Sequence, residues 1–207
     1  MSKADKGRIV IISSPSGGGK TSICRKLLSP ARRKQGWRFS ISYTTRQPRA
    51  NERSGREYHF VSDQQFTALK KKGAFAEDCR VHLYRYGTPR DPLEQTLTKG
   101  GVMILDVDVQ GARKLKKEYP QAITVFVLPP SKCELHRRLS RRGTETAAQL
   151  AVRRENARKE MKLYRRFEYT VINDNLTDAV KRVLAIIESH PCRTENIPRE
   201  QIENIIG

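Results

Sequence analysis

Long hydrophobic runs are missing from this chain. The longest, Ile9 to Ile12, Val102 to Leu105 and Val125 to Leu128, fall far short of the ~20 apolar residues that cross a bilayer. The opening "MSKADKG" has no apolar secretory segment, so a cytoplasmic protein with no membrane partner is expected. Cysteine is scarce as well. Cys24, Cys79, Cys133 and Cys192 lie far apart and form no CxxC pair, which excludes a zinc knuckle or dithiol redox motif and leaves reduced structural thiols. Acidic residues number 22 against 41 Lys and Arg, for a formal charge of +19. Such a field attracts anions, among them nucleotides, nucleic acid and acidic membranes, without choosing between them. No stacking-aromatic or groove-reading motif accompanies the charge, so nucleic acid is expected only as a non-specific partner.

What remains is the composition of a soluble globular protein, with 37% hydrophobic and 30% charged residues over 207 positions, enough for one compact domain. Short Ile- and Val-rich runs alternate with segments of helical spacing, the pattern of βα units that feed a parallel sheet. Strands are predicted at Ile9 to Ile12 and near Val102 to Leu105, Ile123 to Leu128 and Thr170 to Ile172. Helices are predicted from Ser22 and near Val109 to Lys117, Lys132 to Ser140 and Leu176 to Ser189. In the last of these, Leu176, Val180, Val183, Leu184 and Ile187 recur at three and four residues, which marks a core-facing stripe.

Two regions break the alternation. Residues 38–92 read as a small mixed α/β insertion, with a helix start at "SDQQ", Ser62 to Gln65, where Ser caps and Gln follows three positions later. Residues 138–166 are nearly saturated with charge and poor in large apolar residues, so an exposed, mobile helical flap is expected. The core is then 7–37, 93–137 and 167–190, followed by a tail at 191–207 too short to be a domain.

The segment "SSPSGGGKTS", Ser13 to Ser22, follows directly on the first strand and opens the first helix. Consecutive glycines let several backbone N–H groups point at one anion, and the helix adds its positive N-terminal end. The Lys that follows supplies a mobile cation for the outer phosphates, and the next hydroxyl can ligate Mg²⁺. Those roles fall on Gly17, Gly18, Gly19, Lys20 and Thr21. The general pattern GxxxxGK[ST] asks for Gly where this chain has Ser14, and an ordinary glycine-rich turn is the alternative reading. In "VMILDVD", Asp106 and Asp108 sit at the carboxyl end of a buried-type strand, where α/β sheets bind ligands. Asp106 there either holds a water of the Mg²⁺ shell or, like Asp108, caps the following helix.

A phosphate loop occurs in GTPases, motors and small-molecule kinases, so it does not name the reaction. The insertion narrows it. "SISYTTRQPRANERSGREYHFV" at Ser40 to Val61, "YGT" at Tyr86 to Thr88, "LDVDVQG" at Leu105 to Gly111, "RRGTET" at Arg141 to Thr146 and "VIND" at Val171 to Asp174 together resemble the guanylate kinases, a family of P-loop nucleoside monophosphate kinases. The likeness runs from about Gly7 to His190 and keeps the family's motif order and spacing. It implies an α/β, P-loop NTPase-type parallel sheet flanked by helices, with 38–92 as a GMP-binding subdomain and 138–166 as a lid over ATP.

The same resemblance implies roles for individual residues. Arg46 and Arg49 would grip the GMP phosphate, helped by the hydroxyls of Tyr58 and Tyr86. Ser42, Glu77 and Thr88 would read guanine, and Asp108 would orient the base or sugar. Ser14, Pro15, Ser16, the three glycines, Lys20, Thr21 and Ser22 would wrap the ATP phosphates, with Arg138, Asn173 and Asp174 also on the ATP side. Arg142 and Arg153 would reach the transferring phosphate, with Arg141 and Arg154 as neighbours one position off. Catalysis would fall to Lys20, Arg46, Arg49, Arg142 and Arg153, and Mg²⁺ to Thr21 and, through water, Asp106. No histidine is required, because the acceptor is a phosphate oxygen whose second pKa is about 6. His59, His82, His136 and His190 are left as structural or exposed residues.

The implied activity is Mg²⁺-dependent transfer of the ATP γ-phosphate to GMP. Two rivals use the same scaffold: a kinase for another phosphorylated acceptor such as ribose 1,5-bisphosphate, and a non-catalytic module that binds phosphopeptides. A homo-oligomer is compatible with the sequence.

Overall fold

A computed structural model describes residues 7–81, 83–140 and 147–207. In chain order, β1 (Arg8–Ser13) leads through a loop into α1 (Lys20–Leu27), α2 (Pro30–Lys34) and β2 (Trp37–Phe39). Next come β3 (Tyr43–Thr44), β4 (His59–Phe60), α3 (Asp63–Lys71), β5 (Phe75–Val81), β6 (Tyr84–Pro89) and α4 (Arg90–Thr98). The chain continues through β7 (Val102–Asp106), α5 (Val109–Glu118), β8 (Ile123–Leu128), α6 (Lys132–Ser140) and α7 (Ala147–Met161). A 3₁₀ turn at Lys162–Arg166, β9 (Tyr169–Ile172), α8 (Leu176–Ser189), two further 3₁₀ turns and α9 (Arg199–Ile206) complete it.

The main sheet is parallel, in the order β2-β7-β1-β8-β9. Its central strand reads as an unbroken apolar run because helices cover both faces. Val10 and Ile12 point to one side, into a core with Ile23 and Leu27 of α1 and Val183 and Ile187 of α8. Ile9 and Ile11 point to the other, against Leu93 of α4 and Ala112 and Leu115 of α5. Each such side chain, withdrawn fully from water, contributes roughly 1.5–3 kcal/mol.

A second sheet, β4-β3-β6-β5, is mixed and carries the insertion. Its helix α3 starts as the sequence predicts: Ser62 Oγ accepts the Gln65 N–H at 3.1 Å and Gln65 Oε1 accepts the Ser62 N–H at 2.9 Å. Arg38 and Phe39, placed in the insertion by sequence, pair with Met103 and Ile104 in the main sheet. Among the described residues, no helix is long and apolar enough to cross a membrane.

The flap differs from the sequence expectation in one respect. Ala157 of α7 is fully buried with Leu135 and Leu139 of α6, and Leu150 and Met161 pack at the edge. Leu150, Ala157 and Met161 recur at seven and four residues, so a narrow apolar stripe holds this charged helix against α6.

Candidate active site

The loop between β1 and α1 is shaped by what its glycines lack. Gly17 and Gly19 have φ of 85° and 93°, in the left-handed region that a side chain disfavours. A Cβ on Gly19 would lie 2.3 Å from Asn173 Nδ2, and one on Gly18 would lie 2.7 Å from Ser14 Cβ. The missing Gly18 side chain is thus what admits Ser14 in place of the pattern's first glycine. Ser14 is buried and donates to the Pro15 carbonyl at 2.9 Å. The first turn of α1 has no side-chain cap, which leaves its positive end for a ligand.

Asp106, at the carboxyl end of β7, faces this loop. Its Oδ1 lies 3.0 Å from Lys20 Nζ, and its Oδ2 accepts the Thr21 hydroxyl at 2.6 Å. Burial alone would lower the Lys20 pKa, but the charge and hydrogen bond of Asp106 outweigh it and raise the ammonium above the ordinary lysine range. Ser22, next along α1, is exposed.

Two residues beyond Asp106, Asp108 turns to the other side. It caps α5, accepting the Gly111 N–H at 2.8 Å, and its Oδ1 also accepts the Cys79 thiol at 3.5 Å. Beside it on β5 is Glu77, 7% exposed. Glu77 Oε1 accepts the Thr88 hydroxyl from the neighbouring strand at 2.7 Å, while Oε2 is buried with no hydrogen-bond partner among the described residues. Burial, opposed by the Thr88 bond and reinforced by the charge of Asp108, pushes its pKa up to about 7. An acceptor left unpaired in this way is costly unless a ligand supplies the donor. Ser42 immediately precedes β3 of the same sheet, half-buried, its carbonyl accepting the His59 N–H.

Two arginines of the insertion, Arg46 and Arg49, gather round one carboxylate. Arg46 Nη2 contacts both oxygens of Glu52 at 2.9 Å, and its guanidinium lies 5.5 Å from the Tyr58 ring and 5.7 Å from the Phe60 ring. Tyr58 and Tyr86 meet edge to face at 5.8 Å. Arg49 is more than half exposed, with its backbone N–H on Glu52 Oε2 at 2.9 Å.

On the opposite side, Arg138 of α6 donates to the Asn173 carbonyl at 2.9 Å, and Asn173 Nδ2 donates to the Gly18 carbonyl at 3.0 Å. Asp174 is exposed and bonds the Asn175 N–H. Arg153 of α7 reaches Ser16 Oγ at 2.6 Å, and the Ser16 N–H donates to Glu160 Oε2 at 3.1 Å. Arg154 donates instead to Ser140 Oγ. Arg141 and Arg142 lie outside the described residues.

The structure therefore brings Lys20, Thr21 and Asp106 together, sets Glu77, Thr88 and Asp108 on the far side of the β7 end, and places Arg153 against the phosphate loop. Sequence reasoning passed over Glu52, Glu160 and Glu134, the last of which holds Arg137 and Arg138 on α6. The i,i+3 and i,i+4 spacing signals Glu134; Glu160 contacts a residue 144 positions away and has no local signal.

The guanylate kinase family model matches residues 6–190 of this chain. The chain belongs to the guanylate kinase family. It is 40% identical to a guanylate kinase from Clostridium tetani over 93% of this chain and 91% of that one, and 41% identical to one from Thermotoga maritima over 89% and 87%. A crystal structure of guanylate kinase from Anaplasma phagocytophilum superposes with a TM-score of 0.76 at 28% identity, covering 92% of this chain and 89% of that chain. Within this family frame the parallel sheet, the phosphate loop and the mixed-sheet insertion are parts of one phosphotransferase scaffold.

Proposed function

We propose that the chain transfers the γ-phosphate of ATP to GMP, giving ADP and GDP. The observation that carries the acceptor assignment is Glu77: a buried carboxylate with one oxygen on Thr88 and one unpaired among the described residues. Guanine presents N1–H and an exocyclic amine side by side, two donors that suit that carboxylate. Adenine has no N1–H and would leave it desolvated and unpaired, so discrimination is strong. Ser42 supplies a hydroxyl donor for the remaining base edge, Thr88, whose proton goes to Glu77 Oε1, steadies that carboxylate and offers its oxygen to the exocyclic amine, and Asp108 steadies the wall behind it.

Arg46 and Arg49, with the Tyr58 and Tyr86 phenols, hold the acceptor phosphate. Residues 14–22 wrap the donor phosphates, Lys20 neutralises their outer charge, and Arg138, Asn173 and Asp174 line the ATP side. Thr21 and, through water, Asp106 would hold a magnesium ion, since both offer hard oxygen donors side by side at the phosphate loop. Bound there with phosphate oxygens, Mg²⁺ would supply charge neutralisation across the donor. Arg153, and Arg142 from the same flap, act on the phosphate in flight. Catalysis is alignment of two mutually repelling polyanions plus charge stabilisation, with no side-chain base. A cytoplasmic setting suits this reading, since all four cysteines are free thiols.

ADP production measured with GMP, dGMP, AMP, UMP and ribose 1,5-bisphosphate as acceptors tests the assignment. GMP is expected to exceed AMP and UMP by orders of magnitude and to require Mg²⁺. Failure of GMP alongside good use of another acceptor would overturn it.

A further inference from the structure

Glu52 sits where two arginines of the acceptor side converge, and it is only 14% exposed. Both of its oxygens take Arg46 Nη2 at 2.9 Å, while Arg46 Nη1 is held by the Gln47 carbonyl at 2.8 Å. The Tyr58 and Phe60 rings flank the same guanidinium. Glu52 also closes its own turn: its N–H donates to the Arg49 carbonyl at 3.0 Å, and its Oε2 accepts the Arg49 N–H at 2.9 Å. One carboxylate thus fixes the Arg46 fork and the Arg49 backbone, and its Oε1 lies 3.9 Å from Nη1 of the more exposed Arg49 guanidinium.

Two opposite consequences are chemically open to an anion in this place. It could compete with the acceptor's phosphate for the arginines, or it could hold them in the arrangement that the phosphate needs. The geometry favours the second. The carboxylate is anchored by three donor contacts and by its own backbone, so an incoming phosphate meets a fixed pair and has no loose counter-ion to displace. An arginine carries roughly 2 kcal/mol of rotamer entropy. Ordering it before the ligand arrives removes that cost from binding.

We propose that Glu52 is a positioning residue for acceptor-phosphate capture, acting through Arg46 and Arg49; the proposal rests on the reading of 38–92 as the GMP side. The sign of the effect separates the two consequences. Glu52→Gln keeps the shape, removes a negative charge and turns an N–H₂ donor towards Arg46. Simple electrostatics then makes the pocket more positive and tightens GMP. Loss of positioning weakens it.

The experiment is steady-state kinetics on E52Q and E52D in the full chain, with GMP and ATP varied separately. KM for GMP is expected to rise about tenfold in E52Q, the scale of ordering one long side chain, with KM for ATP within about twofold. E52D, which keeps the charge one methylene short, is expected to fall between E52Q and wild type. An unchanged or lowered KM for GMP overturns the proposal, and so does an equal rise in KM for ATP, which marks general loss of structure. If E52Q melts below the assay temperature, the ratio of the two KM values in E52D decides in the same way. Wild-type protein unable to use GMP would instead defeat the functional reading.

Discussion

Asp106 and Glu77 are both carboxylates at the edge of the cleft, yet they are treated in opposite ways. Asp106 is fully engaged without any ligand, with Lys20 on one oxygen and Thr21 on the other. Among the described residues, Glu77 has a hydroxyl partner on one oxygen and no hydrogen-bond partner on the other. The donor side around Asp106 is built from backbone: a loop whose glycines expose N–H groups and which suits any polyphosphate. The acceptor side around Glu77 is built from side chains on paired strands, which can distinguish one base from another. On the proposed reading, phosphate binding is general in this chain and base reading is local to the insertion.

The largest effect is expected at Lys20. Lys20→Met removes the mobile cation and leaves Asp106 with Thr21 alone, so kcat is expected to fall about 10³-fold or more with every acceptor tested. Single-turnover rates with GMP and dGMP check this. A loss confined to one acceptor would mean that Lys20 does not act on the donor.

Arg153→Ala probes the boundary between the two sides. Its guanidinium rests on Ser16 of the phosphate loop, and the proposed role is to act on charge that develops during transfer and not on the bound base. An expected fall of about 10²-fold in kcat with nearly unchanged GMP affinity separates the two. Calorimetry with GMP beside single-turnover rates gives both numbers, and a normal rate would return Arg153 to a structural role.

These two residues also show what the sequence discloses. Lys20 is legible because its chemistry is contiguous: an apolar strand, a glycine turn and a helix start follow one another within one turn of chain. The capping box at Ser62 and Gln65 and the stripe of α8 are legible for the same reason, being local patterns. The partner of Arg153 is not legible, since Ser16 lies 137 positions away and only the packing of α7 on α6 brings them together. The two-residue strands β3 and β4 are likewise invisible alone, being defined by their pairing. Glu52 resembles any solvated acid until its arginine partner is seen. The proposed guanine-reading role of Glu77 comes from family resemblance, and geometry adds an oxygen unpaired among the described residues.

Glu77→Gln tests the acceptor side. The amide replaces one accepting oxygen with a donor that faces guanine's own donors, so kcat/KM for GMP is expected to fall about 10²-fold while KM for ATP stays within about twofold. Kinetics with GMP and AMP in parallel check it. Retained preference for GMP over AMP would take Glu77 out of base recognition.

The smallest expected effect is a fraction of a proton, and it follows from the same unpaired oxygen. Burial first, with Asp108 adding to it against the Thr88 bond, places the ligand-free Glu77 pKa at about 7, above its usual 4.5. A raised carboxylate pKa means that the folded protein binds more protons than the unfolded chain between those values, so this group lowers stability as pH rises from about 4.5 through about 7. In Glu77→Gln that contribution is absent, and the variant's melting temperature is expected to gain on wild type as pH is raised from 5 to 8. Guanine reverses the sign of the environment: two N–H donors favour the ionised carboxylate and pull its pKa back down. GMP binding near pH 7 should then release about half a proton from Glu77, the share still protonated when pH equals pKa. The GMP phosphate, with its own pKa about 6, adds a release as it meets Arg46 and Arg49. Calorimetric titration in two buffers of different ionisation enthalpy measures the total, and the same titration on Glu77→Gln leaves only the phosphate's share. Equal proton release by both proteins would show that the Glu77 carboxyl does not change its ionisation when GMP binds.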